Sequence, residues 1–499
     1  VGEYTWDDAQ AELDRRRAAA DAMGGEERLA RRVAAGRMNA RERIDAVLDD
    51  GSFVEIGRLA GAGEDAAADA FVCGHGHVDG RPVMVGAEDA TVLGGSIGLA
   101  GTSKRERIAR LAGQERVPLV MLLDGAGHRA TNALSRHTPS PTDLEAMADL
   151  SGVVPVVTAV LGASAGHGAL AAALADVVVM VDGSSQLFAA GPPIVKVATG
   201  EDVDKETLGG ARVHAASGLA HLIEPDDAAA LVAVRSVLGY LPTNAWSRPG
   251  SSAVVADSAT PLADVVPTDL RRPYDGRRAV EAVVDAGSML ELQAGWGGAL
   301  ITCLARLGGV PVAVLTSQPQ VFAGSIDTAA AEKAARFVEW TGAFHLPLIV
   351  LADTPGILPG SASERAGVLR SAARLYAAQH RTQVPKLHVT LRKAIGFGSS
   401  VLGQNPFDHQ TVTLALPINT VGAMPARGAA ASAGSDEETS AALAATEVSG
   451  PWRLADTLSY DEVVAPHEVR PRLIAALRLA LAGRSAAAVT PVSRIGHLP

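Results

Sequence analysis

The chain has 499 residues, too many for one hydrophobic core and enough for two domains of about 200 residues each. A formal net charge of -11 and a pI near 5.7 exclude a basic nucleic-acid-binding surface, and two cysteines, Cys73 and Cys303, exclude a disulfide framework or a four-cysteine zinc site. Val1 to Arg17 is acidic and polar rather than apolar like a secretory signal, and Gly and Pro break every apolar run short of a membrane span. A soluble cytoplasmic protein that binds neither nucleic acid nor membrane is therefore expected.

Charged faces at helical spacing predict helices over Asp7–Ala20 and Glu26–Ala35, and Asn39 followed by Glu42 reads as a capping box opening a helix over Arg41–Leu48. A run of strand, strand, helix, strand, helix, strand comes next, and it occurs twice. Gly80-Arg81-Pro82-Val83 returns as Gly309-Val310-Pro311-Val312, Gly95-Ser96-Ile97 as Gly324-Ser325-Ile326, and the run Val117 to Asp124 as Leu346 to Asp353, each about 229 positions on. Val154-Pro155 then matches Val384-Pro385, and Gly166 aligns with Gly396. A register held that far predicts an internal duplication. Upstream, Asp50-Gly51-Ser52 matches Ala286-Gly287-Ser288 at a slightly larger offset, which places a longer loop in the first copy around Gly61 to Asp69. The unbroken apolar runs Leu119–Leu123 and Leu348–Leu351 predict strands covered on both faces. In the predicted helix Ala329–Thr341, residues Glu332, Lys333 and Arg336 read as a solvated or interfacial face. Ser247–Arg272, rich in Ser, Pro and Asp, marks the boundary and gives domains 1–250 and 251–499. Gly428–Ser449 is small and polar, either a loose helix or a mobile insertion.

Both copies end a Val-Pro-rich strand in a Gly-X-Gly turn that starts an apolar helix: Gly166-His167-Gly168 before Ala169–Ala175, and Gly396-Phe397-Gly398 before Ser399–Leu402. Such a turn presents backbone N–H groups at the positive end of a helix, where they can hold an anion or a developing oxyanion. Its recurrence at one register in both copies favours function over simple turn chemistry. A third stretch, Asp124-Gly125-Ala126-Gly127-His128-Arg129, either brings Arg129 to a phosphate or carboxylate or leaves it satisfying local carbonyls. His128, His137, His167, His214 and His221 do not match His-x-x-x-His or His-x-His spacing, so no metal is expected. Ser164 lacks a Gly-x-Ser-x-Gly elbow and is not a candidate nucleophile.

At these turns the chain resembles the carboxyltransferase (beta) subunits of biotin-dependent acyl-CoA carboxylases, of the propionyl-CoA carboxylase kind. The resemblance runs from Arg37-Met38-Asn39-Ala40-Arg41-Glu42 to Val463-Val464-Ala465-Pro466, and is most specific at Phe188-Ala189-Ala190-Gly191-Pro192, Leu208-Gly209-Gly210-Ala211-Arg212 and Asp353-Thr354-Pro355-Gly356-Ile357-Leu358-Pro359-Gly360. It implies an α/β fold of two tandem crotonase-like domains, the first on the acyl-CoA side and the second on the biotin side. Carboxybiotin, carried on a partner protein, would release CO2; the biotin anion would take the acyl-CoA α proton, and the enolate would attack the CO2. By position, the N–H groups of Gly166 and His167 would hold the thioester oxygen, and those of Phe397 and Gly398 the biotin ureido oxygen. Gly127, His128, Arg129, Ala165, Gly168, Gly396, Ser399 and Ser400 would line the substrate sites. No Ala-Met-Lys-Met sequence occurs in the chain. The implied partner is therefore a separate alpha subunit with biotin carboxylase and biotin carrier functions, and the implied assembly is a homohexamer, or at least a dimer whose sites form between chains.

The pattern departs from the family at the turns themselves. Asp124-Gly125-Ala126-Gly127-His128-Arg129 stands for Asp-Ser-Gly-Gly-Ala-Arg, Ala165-Gly166-His167-Gly168 for Ala-Gly-Gly-Ala, and Gly396-Phe397-Gly398-Ser399-Ser400 for Gly-Gly-Ala-Tyr-Asp. Side chains at His167 and Phe397 preserve the holes only where the turn does not demand a positive φ there. Ser400 falls where the family selects its acyl chain, which points to an altered acyl group. Two alternatives stand beside the carboxyltransferase: a biotin-independent crotonase-like decarboxylase or other thioester-enolate enzyme using His128 or His167 as acid or base, and a non-catalytic beta subunit that assembles with an active paralogue.

Overall fold

The structure is a computed structural model describing residues 4–61, 66–129, 142–252, 258–447, 450–484 and 491. The chain divides into two compact units, the first running to Ala245 and the second beginning at Trp246. Five residues of the boundary segment, 253–257, lie outside the described residues, as do His137 and part of the Gly61–Asp69 loop.

The first unit opens with helices Trp6–Asp21, Glu26–Ala34 and Ala40–Val47, close to the predicted bounds. Asn39 caps the third: its side chain accepts from the Glu42 N–H at 3.0 Å while the Glu42 carboxylate accepts from the Asn39 N–H at 2.8 Å. The sheet strands are β1 (Val54–Ile56), β2 (Phe71–Val78), β3 (Arg81–Glu88), β4 (Leu119–Leu123), β5 (Val156–Val160), β6 (Ala163–Ala165), β7 (Val177–Val181), β8 (Gln186–Phe188) and β9 (Leu222–Glu224). Seven form one sheet in the order β1-β2-β3-β4-β5-β7-β9, antiparallel at the β1-β2-β3 end and parallel beyond, while β6 and β8 pair separately. Every residue of β4, β5 and β7 is buried. That is the consequence of covering a parallel sheet on both faces, and it is why these strands read as unbroken apolar runs.

The second unit repeats the plan with β10 (Leu290–Leu292), β11 (Leu300–Leu307), β12 (Val310–Ser317), β13 (Leu348–Thr354), β14 (Lys386–Ile395), β15 (Gln410–Ala415), β16 (Thr420–Gly422) and β17 (Glu462–Val463). Its order is β10-β11-β12-β13-β14-β15-β17, with β16 added to β14. The duplication holds at the level of single pairs. Val78 opposes Arg81 in one hairpin and Leu307 opposes Val310 in the other, and Met84 faces Leu119 as Ala313 faces Leu348. Gly95 and Gly324 both take positive φ, 68° and 86°, and a Cβ on either would lie 2.5 or 2.4 Å from the carbonyl oxygen of Asp124 or Asp353. Only glycine lets that loop close onto the end of the central strand in each copy.

Two expectations change. The predicted helix Ala329–Thr341 spans Thr328–Ala343, and Lys333 and Arg336 are 1% and 4% exposed rather than solvated. Lys333 Nζ donates to the Trp296 carbonyl at 2.7 Å, and burial pushes its pKa down to about 8. Gly428–Ser449 falls on two helices, Ala426–Ala433 and Glu437–Glu447, with residues 448–449 outside the described residues.

His388, buried in β14, donates Nδ1–H to the Leu402 carbonyl at 3.2 Å and faces Thr390 Oγ1 with Nε2 at 2.9 Å. Burial pushes its pKa down to about 4, well below the ordinary 6.5, so the folded chain binds fewer protons here than the unfolded chain. The associated stability is full above pH 6.5 and declines as pH falls from there towards 4, by about 3 kcal/mol at the limit. His388→Gln should flatten that part of a urea-midpoint versus pH profile; an unchanged slope between pH 6.5 and 4 would rule His388 out as its source.

Candidate active site

In the first unit β4 delivers the chain to Asp124, whose carboxylate accepts from Arg43 Nη1 at 2.9 Å and Arg32 Nη2 at 2.7 Å. Arg43, fully buried, also pairs with Asp227 at 2.7 Å, so the N-terminal helices are tied to the end of the central strand. The Asp124 N–H donates to Glu88 at 2.6 Å, and Glu88 is neutralised by Arg105 at 2.6 Å. These buried pairs fix where the turn 125–129 begins. Gly127, at φ 79°, then passes so close to the turn after β6 that a Cβ would lie 2.4 Å from the Ala165 carbonyl oxygen.

Gly166 takes φ 56° and caps a helix that runs His167–Ala173, two residues earlier than expected. Its own N–H donates to the Phe188 carbonyl at 2.9 Å, continuing the β6–β8 pairing. Of the expected donor pair Gly166 and His167, the Gly166 N–H is thus engaged within the protein. Among the described residues no acceptor faces the N–H groups of His167 and Gly168, which are the open donors of this turn. Gly168 is held close by Ser164, whose Oγ would lie 2.5 Å from a Cβ there.

The second unit builds the same turn. Gly396, at φ 64°, donates its N–H to the Gly422 carbonyl at 2.8 Å and caps the helix Phe397–Val401. Phe397 and Gly398 have open N–H groups among the described residues. Gly398 sits against Gly356 of the turn following β13, and Gly356 in turn faces the Ile395 carbonyl as Gly127 faces that of Ala165 in the first unit. The parallel bridges Ile97 to His128 and Ile326 to Ile357 tie the two strand-end turns in the same way. In both units the positive φ falls on the preceding glycine and not on His167 or Phe397, so these side chains leave the turn intact.

The remaining candidates separate. Arg129 ion-pairs with the buried Asp69 at 2.5 Å and donates to the Ser96 carbonyl at 3.2 Å. Phe397 is 61% exposed with its ring 5.7 Å from that of Tyr376. Ser399 Oγ donates to the Gly396 carbonyl at 2.8 Å, and the Ser400 carbonyl accepts from Gln379 at 3.4 Å. His128 and His167 meet edge to face with centroids 4.6 Å apart, whereas His214 bonds the Leu187 carbonyl and His221 the Val178 N–H, both away from this pair. Sequence reasoning missed Asp143, whose Oδ2 lies 2.7 Å from His167 Nε2; in the sequence it looks like an ordinary acid in a first helical turn. Among the described residues no group of three His, Cys, Asp or Glu side chains is placed to hold a metal ion, and no helix is long and apolar enough to cross a membrane.

Comparison with known proteins matches this arrangement across the chain. The carboxyl transferase domain family model covers residues 31–491. A biotin-dependent acetyl-/propionyl-coenzyme A carboxylase beta5 subunit of Mycobacterium leprae is 38% identical over 79% of this chain and 75% of its own length. The propionyl-CoA carboxylase beta chain of Saccharopolyspora erythraea is 35% identical over 98% of this chain and 95% of its own length. The transcarboxylase 12S hexamer, solved with methylmalonyl-coenzyme A and methylmalonic acid bound, superposes with a TM-score of 0.90 at 31% identity, covering all of both chains. With the family model spanning nearly the whole length of its two duplicated α/β units, the chain belongs to the carboxyl transferase family.

Proposed function

We propose that the chain is the carboxyltransferase component of an acyl-CoA carboxylase, moving a carboxyl group from carboxybiotin on a separate carrier to the α carbon of an acyl-CoA. The observation that carries this reading is the pair of open amide turns, one per unit, in a chain of this family. The chemistry asks for two oxyanion sites, one for the thioester enolate and one for the ureido anion of biotin, and for positioning. In the first unit His167 and Gly168 donate to the thioester oxygen; in the second, Phe397 and Gly398 donate to the ureido oxygen. Biotin supplies the carboxyl group and the base when its carrier is bound. The residues at each turn fit such a ligand: two adjacent N–H donors face no acceptor among the described residues, and glycine at Gly168 and Gly398 keeps Cβ atoms out of the close packing behind them.

Assembly with an alpha subunit bearing biotin carboxylase and carrier functions, and into a homohexamer, belongs to the same proposal, as does work in the cytoplasm. The assay supplies a biotin carboxylase and its biotinylated carrier with ATP, labelled bicarbonate and acetyl-, propionyl- and longer acyl-CoA. Acid-stable label in a CoA ester only when the chain is present is the expected result. Label that stays on the carrier with every thioester would defeat the proposal.

A further inference from the structure

Carboxyl transfer by biotin needs no side-chain base, yet the first turn carries a set of groups arranged like one. Asp143, in the helix Thr142–Ala148, is 1% exposed; its Oδ2 holds His167 Nε2 at 2.7 Å and its Oδ1 is buried with no partner among the described residues. With the carboxylate oxygen accepting, His167 Nε2 is the donor, and the contact holds the plane of the ring. His128 is itself exposed and packs at 71° on that ring, which belongs to the residue whose own amide is one of the open donors. The corresponding place in the second unit holds Ile357 and Phe397, which cannot exchange protons.

We infer that the first unit exchanges the α hydrogens of acyl-CoA thioesters without biotin, with His128 as the base that touches the α carbon and with Asp143 and the His167 ring as positioning residues. This rests on the thioester placement proposed above. The α C–H bond breaks and its proton goes to the neutral nitrogen of His128. The electron pair forms the enolate double bond, and the carbonyl pair moves to the thioester oxygen, held by the His167 and Gly168 amides. The proton on His128 exchanges with solvent, and the deuteron returned to the α carbon forms a C–D bond as the carbonyl re-forms, so no oxidant or co-substrate is consumed. The groups facing His128 suit the role: burial lowers its proton affinity most, His167 next and Arg105 least, while Asp143 opposes them. The net effect favours the neutral imidazole, the form that can accept a proton.

The test incubates the full-length chain with acetyl- and propionyl-CoA in heavy water, without biotin or carrier, and follows α deuteration by mass spectrometry. Wild-type protein should exchange well above buffer at neutral pH and lose rate in acid as His128 protonates, at a lower pH than an ordinary imidazole would. His128→Ala and His128→Gln should each lose about 100-fold or more while still binding the thioester. Asp143→Asn should slow exchange and move the acidic fall to lower pH, a shift that a purely structural role would not produce. Exchange no faster than buffer, or undiminished in both His128 variants, overturns the inference. Carboxyl transfer without exchange overturns it alone; exchange without carboxyl transfer overturns the proposed function and leaves the inference standing; absence of thioester binding overturns both.

Discussion

Although it restores the alanine that the family pattern carries at this position, Gly398→Ala in this chain should lower kcat/KM for carboxyl transfer about 100-fold while leaving the fold in place, because of what surrounds Gly398 here. Gly398 is the second residue of the helix Phe397–Val401 and lacks a positive φ, so alanine suits its backbone. The obstacle is packing: the added Cβ would lie 2.6 Å from Gly356 Cα and 2.9 Å from its carbonyl carbon. Both are backbone atoms and cannot rotate away, so the helix start and the turn after β13 must separate. A displacement of roughly 1 Å in a positioned donor costs on the order of 100-fold in rate, comparable with losing one oxyanion-hole donor. Gly428→Ala is the matched control. A Cβ there meets nothing within 4 Å, and the change adds helix propensity worth about 1 kcal/mol. Equal activity in the two variants would mean that the second turn holds no reacting oxygen.

The largest effect on stability is expected at Arg392→Met, about 3–5 kcal/mol. Arg392 is fully buried; Nε donates to Asp353 at 2.8 Å and Nη1 to the carbonyls of Asp269 and Arg272, each at 2.9 Å, with Tyr274 stacked 4.7 Å from the guanidinium. Methionine keeps much of the volume but leaves the Asp353 carboxylate buried with Lys393 Nζ 3.6 Å away and the Lys393 N–H at 3.1 Å. The segment 267–272 loses its tether in the same step. Asp353→Asn together with Arg392→Met should recover part of the loss, because the uncompensated charge is then gone. Urea unfolding monitored on the second unit checks both, and a single variant as stable as wild type would show that the pair contributes nothing net.

The duplicated α/β fold was legible because it is written in local signals that repeat: the apolar runs at β4 and β13, the glycines at 95 and 324, and the Asn39 capping box. Lys333 and Arg336 were misread because charges at helical spacing normally face water, and nothing nearby in sequence announces the Trp296 carbonyl that receives Lys333. The engagement of Gly166 with Phe188 depends on the β6–β8 pairing, a contact across 22 positions that turn chemistry alone does not encode. Asp143 was invisible for the same reason. Its partner His167 lies 24 positions away on another helix, and only folding makes the pair.

The most direct measurement gives the purified chain free biotin and a panel of malonyl-, methylmalonyl- and longer carboxyacyl-CoA thioesters, and follows loss of the carboxyl group. A carboxyltransferase with one oxyanion turn for each substrate should release it only when biotin is present, fastest for one acyl class and about 100-fold slower in Gly398→Ala. Carboxyl loss at the same rate with and without biotin would contradict the assignment of the second turn to biotin and leave the chain a decarboxylase served by the first turn alone.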